Sequence, residues 1–197
     1  MTYLNRRWIA LSSAAAATGL TFLFATLPAH AETVANATVA RGAYLVKAGG
    51  CNDCHTPLKM GPQGPQPDFA RALSGHPENL KMPPAPRLAA GPWLWVGAAT
   101  NTAFAGPWGV SYAMNLTPDA ETGLGKWTEQ QFVATLRTGR HLGVSRPILP
   151  PMPIGATSQM TEQDLKAIYA YLRTVPAIRN RVPDPTPPAA QVAQASK

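Results

Sequence analysis

Gly49-Gly50-Cys51-Asn52-Asp53-Cys54-His55-Thr56 is the stretch that decides how this chain must fold. Its Cys51-x-x-Cys54-His55 core places two thiols on one turn of chain, with an imidazole directly after the second. That is the spacing in which two cysteines bond the vinyl-derived carbons of a haem while the histidine turns toward the iron. These two are the only cysteines of the 197 residues. Other uses of such a pair fit less well. A structural zinc site needs two further Cys or His ligands, and His76 and His141 stand isolated. A thioredoxin-type dithiol needs a βαβ context, absent from the pattern, and leaves the histidine without a task. A disulfide across two intervening residues closes too short a loop to stabilise much. One motif therefore implies one covalently bound haem c, held by Cys51 and Cys54 with His55 as an axial iron ligand.

Toward the N-terminus, Thr38–Ala48 carries Val39, Ala43 and Val46 with Tyr44 and Leu45 alongside, a helical pattern stopped by Gly49-Gly50. Such a helix delivers the chain straight into the haem turn. Gly42 inside it costs stability relative to Ala, so a close helix crossing is its expected purpose. Further upstream, Arg6 and Arg7 precede an uncharged apolar run, Trp8–Leu27, and Pro28-Ala29-His30-Ala31 supplies a small-residue cleavage site. Residues 1–31 read as a secretory signal peptide, which implies a periplasmic location in a bacterium. The same run, about 20 residues long, is also long enough to serve as an uncleaved membrane anchor. Otherwise membrane contact is expected to be peripheral only.

Toward the C-terminus the expected domain is 32–181. Within it, residues 57–110 or thereabouts are rich in Pro and Gly and read as an irregular insert. Its Trp93, Trp95, Phe104 and Trp108 are too many for a free linker. They are expected to pack over the core or the haem face, with a docking patch as the alternative. His76, in a Gly-His-Pro turn, is expected at the surface. Thr128 with Gln131 predicts a capping box opening a helix that ends at Gly139, and Thr161 with Asp164 predicts a second cap. Residues 182–197, rich in Pro, Ala and Gln, read as a disordered tail. Capped helices and Pro/Gly loops, with no long alternating runs, predict an all-α domain wrapped around its cofactor.

An electron carrier needs a second strong iron ligand, and Met suits a high potential. Met152 lies in Leu149-Pro150-Pro151-Met152-Pro153-Ile154, where prolines stiffen the backbone and suppress helix, so the thioether is presented from a rigid loop. Met114, in Tyr112-Ala113-Met114-Asn115-Leu116, is the weaker alternative, followed by His141 or no protein ligand.

Several motifs together resemble one family. Arg41-Gly42-x-Tyr44-Leu45-Val46 leads to Cys51-x-x-Cys54-His55-Thr56. Asn115-Leu116-Thr117-Pro118-Asp119 precedes Thr122-Gly123-Leu124-Gly125-x-Trp127, and Pro151-Met152-Pro153 follows. Over residues 40–175 this combination is similar to the class I cytochrome c domains of the cytochrome subunits of membrane-bound alcohol and gluconate-type dehydrogenases. The resemblance implies a small helical domain around one haem, Met152 as the distal ligand, and a contact of Gly42 with Tyr169 or Tyr171 where the first and last helices cross. It departs in having one haem motif where such subunits usually have three, and a longer insert after it.

The implied role is single-electron transfer by an outer-sphere route, without catalysis by the chain itself. A dehydrogenase-type donor and an oxidase or another cytochrome as acceptor are the expected partners. The net charge of +7 is spread thinly rather than in stripes, which argues against nucleic acid and suits acidic proteins or a membrane surface. A haem enzyme or ligand sensor with a displaceable distal ligand is the alternative function.

Overall fold

The computed structural model describes residues 27–86, 88 and 91–188, with side chains from Glu32 onward. The chain divides into two compact units, Met1–Ala35 and Asn36–Lys197. Of the first, only the opening of helix α1 (Leu27–Ala48) is described, so the signal peptide expected over 1–31 lies almost entirely outside the described residues. That helix begins well before Thr38, where the apolar pattern starts.

Within the second unit α1 ends at Ala48, and α2 (Cys51–His55) follows after Gly49-Gly50. The chain then forms a hairpin of β1 (Leu58–Gly61) and β2 (Gly64–Pro67), and an antiparallel sheet of β3 (Val96–Gly97), β4 (Ala103–Gly106) and β5 (Gly109–Tyr112) in the order β3-β4-β5. Three helices complete the unit: α3 (Glu129–Thr138), α4 (Ile154–Thr157) and α5 (Glu162–Leu172). The expected all-α class is therefore corrected. Five antiparallel strands in two sheets accompany five helices among the described residues, and the fold is mixed α/β.

All of the strands lie in, or run just past the end of, the stretch expected to be an irregular insert. The register Leu58↔Pro67 to Gly61↔Gly64 leaves Pro62-Gln63 as a two-residue turn, and Gly64 sits at φ +110°. Likewise Gly106↔Gly109 closes the β4–β5 turn, with Gly109 at φ +92°. Glycine takes this region of backbone without steric cost, and two-residue turns are what couple antiparallel strands. Strands of two to four residues are too short for alternation to register as a pattern, and prolines within β2 conceal it further.

Helices α3 and α5 follow the sequence closely. Thr128 Oγ1 accepts from the Gln131 N–H at 3.1 Å while the Gln131 carboxamide accepts from the Thr128 N–H at 2.9 Å, and Gly139 ends α3 at φ +65°. Thr161 caps α5 by accepting from Asp164 N–H. Val46, Leu73, Leu124, Phe132, Leu136, Leu165, Ile168 and Leu172 form the apolar core between α1, α3 and α5. Gly42 is where α1 crosses α5: a Cβ there would lie 1.9 Å from the Ala167 carbonyl oxygen and 2.8 Å from Tyr171 Cβ.

Beside the apolar core lies a second, polar one. Asn180 is fully buried; its amide N–H groups donate to the carbonyls of Ser74 and His76 at 2.7 and 2.8 Å. Its side-chain oxygen accepts from Arg71 Nη2 and from Glu78 N–H at 2.8 and 2.9 Å. One side chain thus satisfies the turn after the first hairpin. His76 belongs to the same region and is not at the surface: it is fully buried, bonded through Nδ1 to Thr102 Oγ1 and through Nε2 to the Leu80 carbonyl, with its ring 4.9 Å from that of Tyr112. Burial pushes its pKa down. The insert aromatics divide. Phe104 is buried with Trp95 edge-on to it at 5.7 Å, whereas Trp95 itself and Trp93 are exposed. At the C-terminal end, Val182–Pro188 are placed rather than free, since Thr186 and Val110 exchange both backbone hydrogen bonds. Residues 189–197 lie outside the described residues.

Replacing Asn180 by Ala leaves two buried carbonyls and a backbone N–H without their partner. The expected loss is about 3 kcal/mol of folding stability, from roughly 1–3 kcal/mol per buried group left unpaired. Chemical denaturation monitored by tryptophan fluorescence measures it.

Candidate cofactor site

Gly50, in the left-handed region at φ +67°, turns the chain from α1 into α2 and sets Cys51 and Cys54 on one short helix with His55 as its last residue. Both thiols are half-buried and unbridged, and burial pushes each pKa up. Asn101, from the loop before β4, donates to the Asp53 carbonyl at 2.7 Å and fastens the turn to the sheet. Behind it, fully buried Thr56 donates to Asn52 Oδ1 at 3.1 Å and accepts from Leu73 N–H at 3.0 Å.

His55 is buried, and its Nδ1 lies 2.7 Å from the Met114 carbonyl oxygen. A carbonyl can only accept, so Nδ1 carries the proton. The ring is thereby held as the tautomer whose Nε2 lone pair is available, and among the described residues no hydrogen bond falls on Nε2. Burial pushes the His55 pKa down, opposed by the Met114 carbonyl, and keeps the ring neutral. The Gly75 N–H donates to the His55 carbonyl at 2.8 Å, and Gly75, at φ +78°, lies so close to residues 113–114 that a Cβ would meet their carbonyls at 2.3 and 2.5 Å. His76 N–H donates to the Ala113 carbonyl at 2.9 Å. The carbonyl that holds the imidazole is thus itself clamped.

The two methionines singled out from the sequence are placed differently. Met114 offers its backbone carbonyl to the Nδ1 edge of His55, on the side of the ring away from Nε2. Met152 sits half-buried against the apolar core, in the loop that leads into α4. Met60 is exposed, and Met160 packs on the core. His141 stacks edge-on against Trp127 at 5.0 Å, and Arg140 is exposed with Nη1 donating to the Ser145 carbonyl.

The residues fit a covalently attached haem: two unbridged thiols on one turn, a neutral imidazole with its tautomer fixed, and a stiff thioether loop. Two buried donors, Arg71 Nε and Trp108 Nε1, have no hydrogen-bond partner among the described residues, and such donors suit a group bearing carboxylates. Sequence reasoning missed the Met114 carbonyl, Gly75 and Asn101. Only Gly75, beside a proline-containing turn, left a trace, and a backbone acceptor leaves none.

Similarity to known proteins points the same way. The chain is 28% identical over 161 residues to the cytochrome c subunit of the quinone alcohol dehydrogenase of Gluconobacter oxydans, covering 79% of this chain and 26% of that protein. It is 28% identical to the fructose dehydrogenase cytochrome subunit of Gluconobacter japonicus, over 70% of this chain and 21% of that one. It is 31% identical to the gluconate 2-dehydrogenase cytochrome c subunit of Pantoea cypripedii, over 73% of this chain and 24% of that one. No family model matches the chain. What this similarity supports is a cytochrome c domain. It resembles those of alcohol, fructose and gluconate dehydrogenase cytochrome subunits, and the chain spans about a quarter of the length of these relatives.

Gly75→Ala is expected to cost about 2 kcal/mol of stability, from the strained φ and the overpacking against residues 113–114. In the same variant the His55 Nδ1–H resonance is expected to shift as the Met114 carbonyl is displaced, which nitrogen-15 histidine NMR measures.

Proposed function

We propose that this chain is a monohaem c-type cytochrome that passes single electrons by outer-sphere transfer. In this reading it takes electrons from a dehydrogenase-type donor and gives them to a respiratory oxidase or another cytochrome. The observation that carries the reading is the hydrogen bond from His55 Nδ1 to the Met114 carbonyl, directly beside Cys51 and Cys54. Cys51 and Cys54 would hold the group through thioethers, and His55 Nε2 and Met152 Sδ would ligate its iron. Haem bound there supplies a one-electron ferric/ferrous couple.

Every other contribution belongs to the chain. The Met114 carbonyl fixes the tautomer of His55, orients the ring and raises the donor strength of Nε2. Pro150, Pro151 and Pro153 restrict the loop that presents Met152. Leu73, Leu124 and Leu136 contribute an apolar surround, and a drier, less polar site stabilises the less charged redox state and raises the potential. With His55 and Met152 both holding the iron, the group would supply electron transfer without a bound substrate.

A periplasmic location is supported by the arginine-led apolar segment ending in Pro28-Ala29-His30-Ala31, and by similarity to bacterial dehydrogenase cytochrome subunits. No described helix is long and apolar enough to cross a membrane. The similarity to dehydrogenase cytochrome subunits makes a dehydrogenase the proposed electron donor, and the positive net charge suits an acidic docking face on it.

The test is the absorption spectrum of the purified protein, oxidised and reduced, with carbon monoxide added to the reduced form. Expected are a weak red charge-transfer band from thioether ligation in the oxidised state and no carbon monoxide shift. Met152→Ala should lose the band and bind carbon monoxide readily. Ready binding by the unmodified protein would overturn the carrier reading in favour of a haem enzyme or ligand sensor.

A further inference from the structure

We propose that Ser111 is a positioning residue for the Met152 loop, so that the segment Ser111–Met114 holds both iron-ligand sides on one piece of backbone. The inference rests on the reading of His55 and Met152 as axial ligands. Ser111, in β5, is buried, and its Oγ lies 2.5 Å from the Pro150 carbonyl oxygen and 3.4 Å from that of Phe104. A hydroxyl has one proton to donate, and the shorter contact takes it.

The loop needs such an anchor. Pro150, Pro151 and Pro153 carry no backbone N–H, so before Met152 the loop donates no ladder or helix bond from these positions, while after it the Pro153 carbonyl is taken by the Ala156 and Thr157 N–H groups of α4. Its flanking backbone bonds run from Ile148 N–H to the Gly139 carbonyl and from Ile154 N–H to the Met152 carbonyl, the second of them internal to the loop. Among the described residues the Ser111 hydroxyl is the only donor on the Pro150 carbonyl, two residues before Met152.

The other end of the segment is the Met114 carbonyl, which receives the His55 Nδ1–H. Three residues of extended chain span at most about 10 Å, which bounds the Cα separation of Ser111 and Met114. Between them the backbone is pinned: Tyr112 pairs with Ala103 in the sheet, Ala113 N–H donates to the Thr102 carbonyl, and the Ala113 carbonyl accepts from His76 N–H. A clamped strand end therefore sets where the methionine loop stands relative to the histidine. Ser111 does this through Pro150, without itself touching the iron.

The experiment compares Ser111→Ala and Ser111→Thr with the unmodified haem-loaded protein, reading the thioether charge-transfer band of the oxidised form and carbon monoxide affinity of the reduced form. Ser111→Ala should weaken the band and raise carbon monoxide affinity roughly five- to tenfold, the equivalent of one neutral hydrogen bond. Ser111→Thr, which keeps the hydroxyl, should restore both. Thr135→Val serves as the control, because it removes a comparably buried hydroxyl that donates to the Gln131 carbonyl at 2.7 Å within α3 and should move neither readout. An unchanged Ser111→Ala, or an equal effect of Thr135→Val, overturns the proposal. Met152→Ala, measured in parallel, separates the two levels. A band that survives in that variant removes the ligand reading itself. A band lost there but indifferent to Ser111→Ala removes only the role of Ser111.

Discussion

The hydrogen bond from His55 Nδ1 to the Met114 carbonyl is the constraint on which the rest of this site depends. A free imidazole has two tautomers and a rotatable ring, and only one arrangement presents Nε2 with its lone pair outward. Here a backbone carbonyl makes that choice, and the fold is arranged to keep the carbonyl still. Gly75 packs against it with no side chain in the way, and β5 leads into it. Asn180 in turn holds the 71–78 segment that contains Gly75. The chain after the haem motif is therefore structural, even where it lacks helices.

A site built on backbone acceptors requires a buried polar layer, and such layers are stable only when nearly every group is paired. Asn180, Thr56, Thr117 and Asn115 meet that requirement by joining segments distant in sequence: Thr56 accepts from Leu73 N–H, and Asn115 donates to the Ile178 carbonyl at 2.7 Å. The C-terminal stretch that follows α5 is drawn into this layer, which is why it does not leave the domain after Pro176. Asp119 secures the neighbouring turn by accepting from the Thr122 hydroxyl and from the N–H groups of Glu121 and Thr122, and these bonds hold its carboxyl below the usual range. Because the folded value is the depressed one, this stabilisation is present above the ordinary aspartate pKa. It fades as pH falls through the lowered value.

What was legible in the sequence had a local cause. The capping residues Thr128 and Thr161, the stop at Gly139 and the crossing at Gly42 each follow from the chemistry of a few neighbouring residues, and each is present. The strands were not legible, because two to four residues flanked by glycine and proline carry no period to read. The turn-like neighbours of His76 point to the surface. Its burial depends on Thr102, just before β4, and on Tyr112 in β5, neither of which a local pattern brings to it. Met114 drew notice for its sulfur, whereas its carbonyl is what touches His55. A backbone acceptor has no signature in side-chain identity, and neither does the tether from Ser111 to Pro150.

The fold around this site is explained only if Cys51 and Cys54 carry a haem whose iron His55 would ligate. Intact-mass spectrometry followed by peptide mapping tests it most directly, on the full chain expressed with a haem-attachment system. One haem per chain is expected, resistant to acid extraction and located on the peptide containing Cys51-Asn52-Asp53-Cys54-His55. Two unmodified thiols on that peptide, or a disulfide between them, would contradict it.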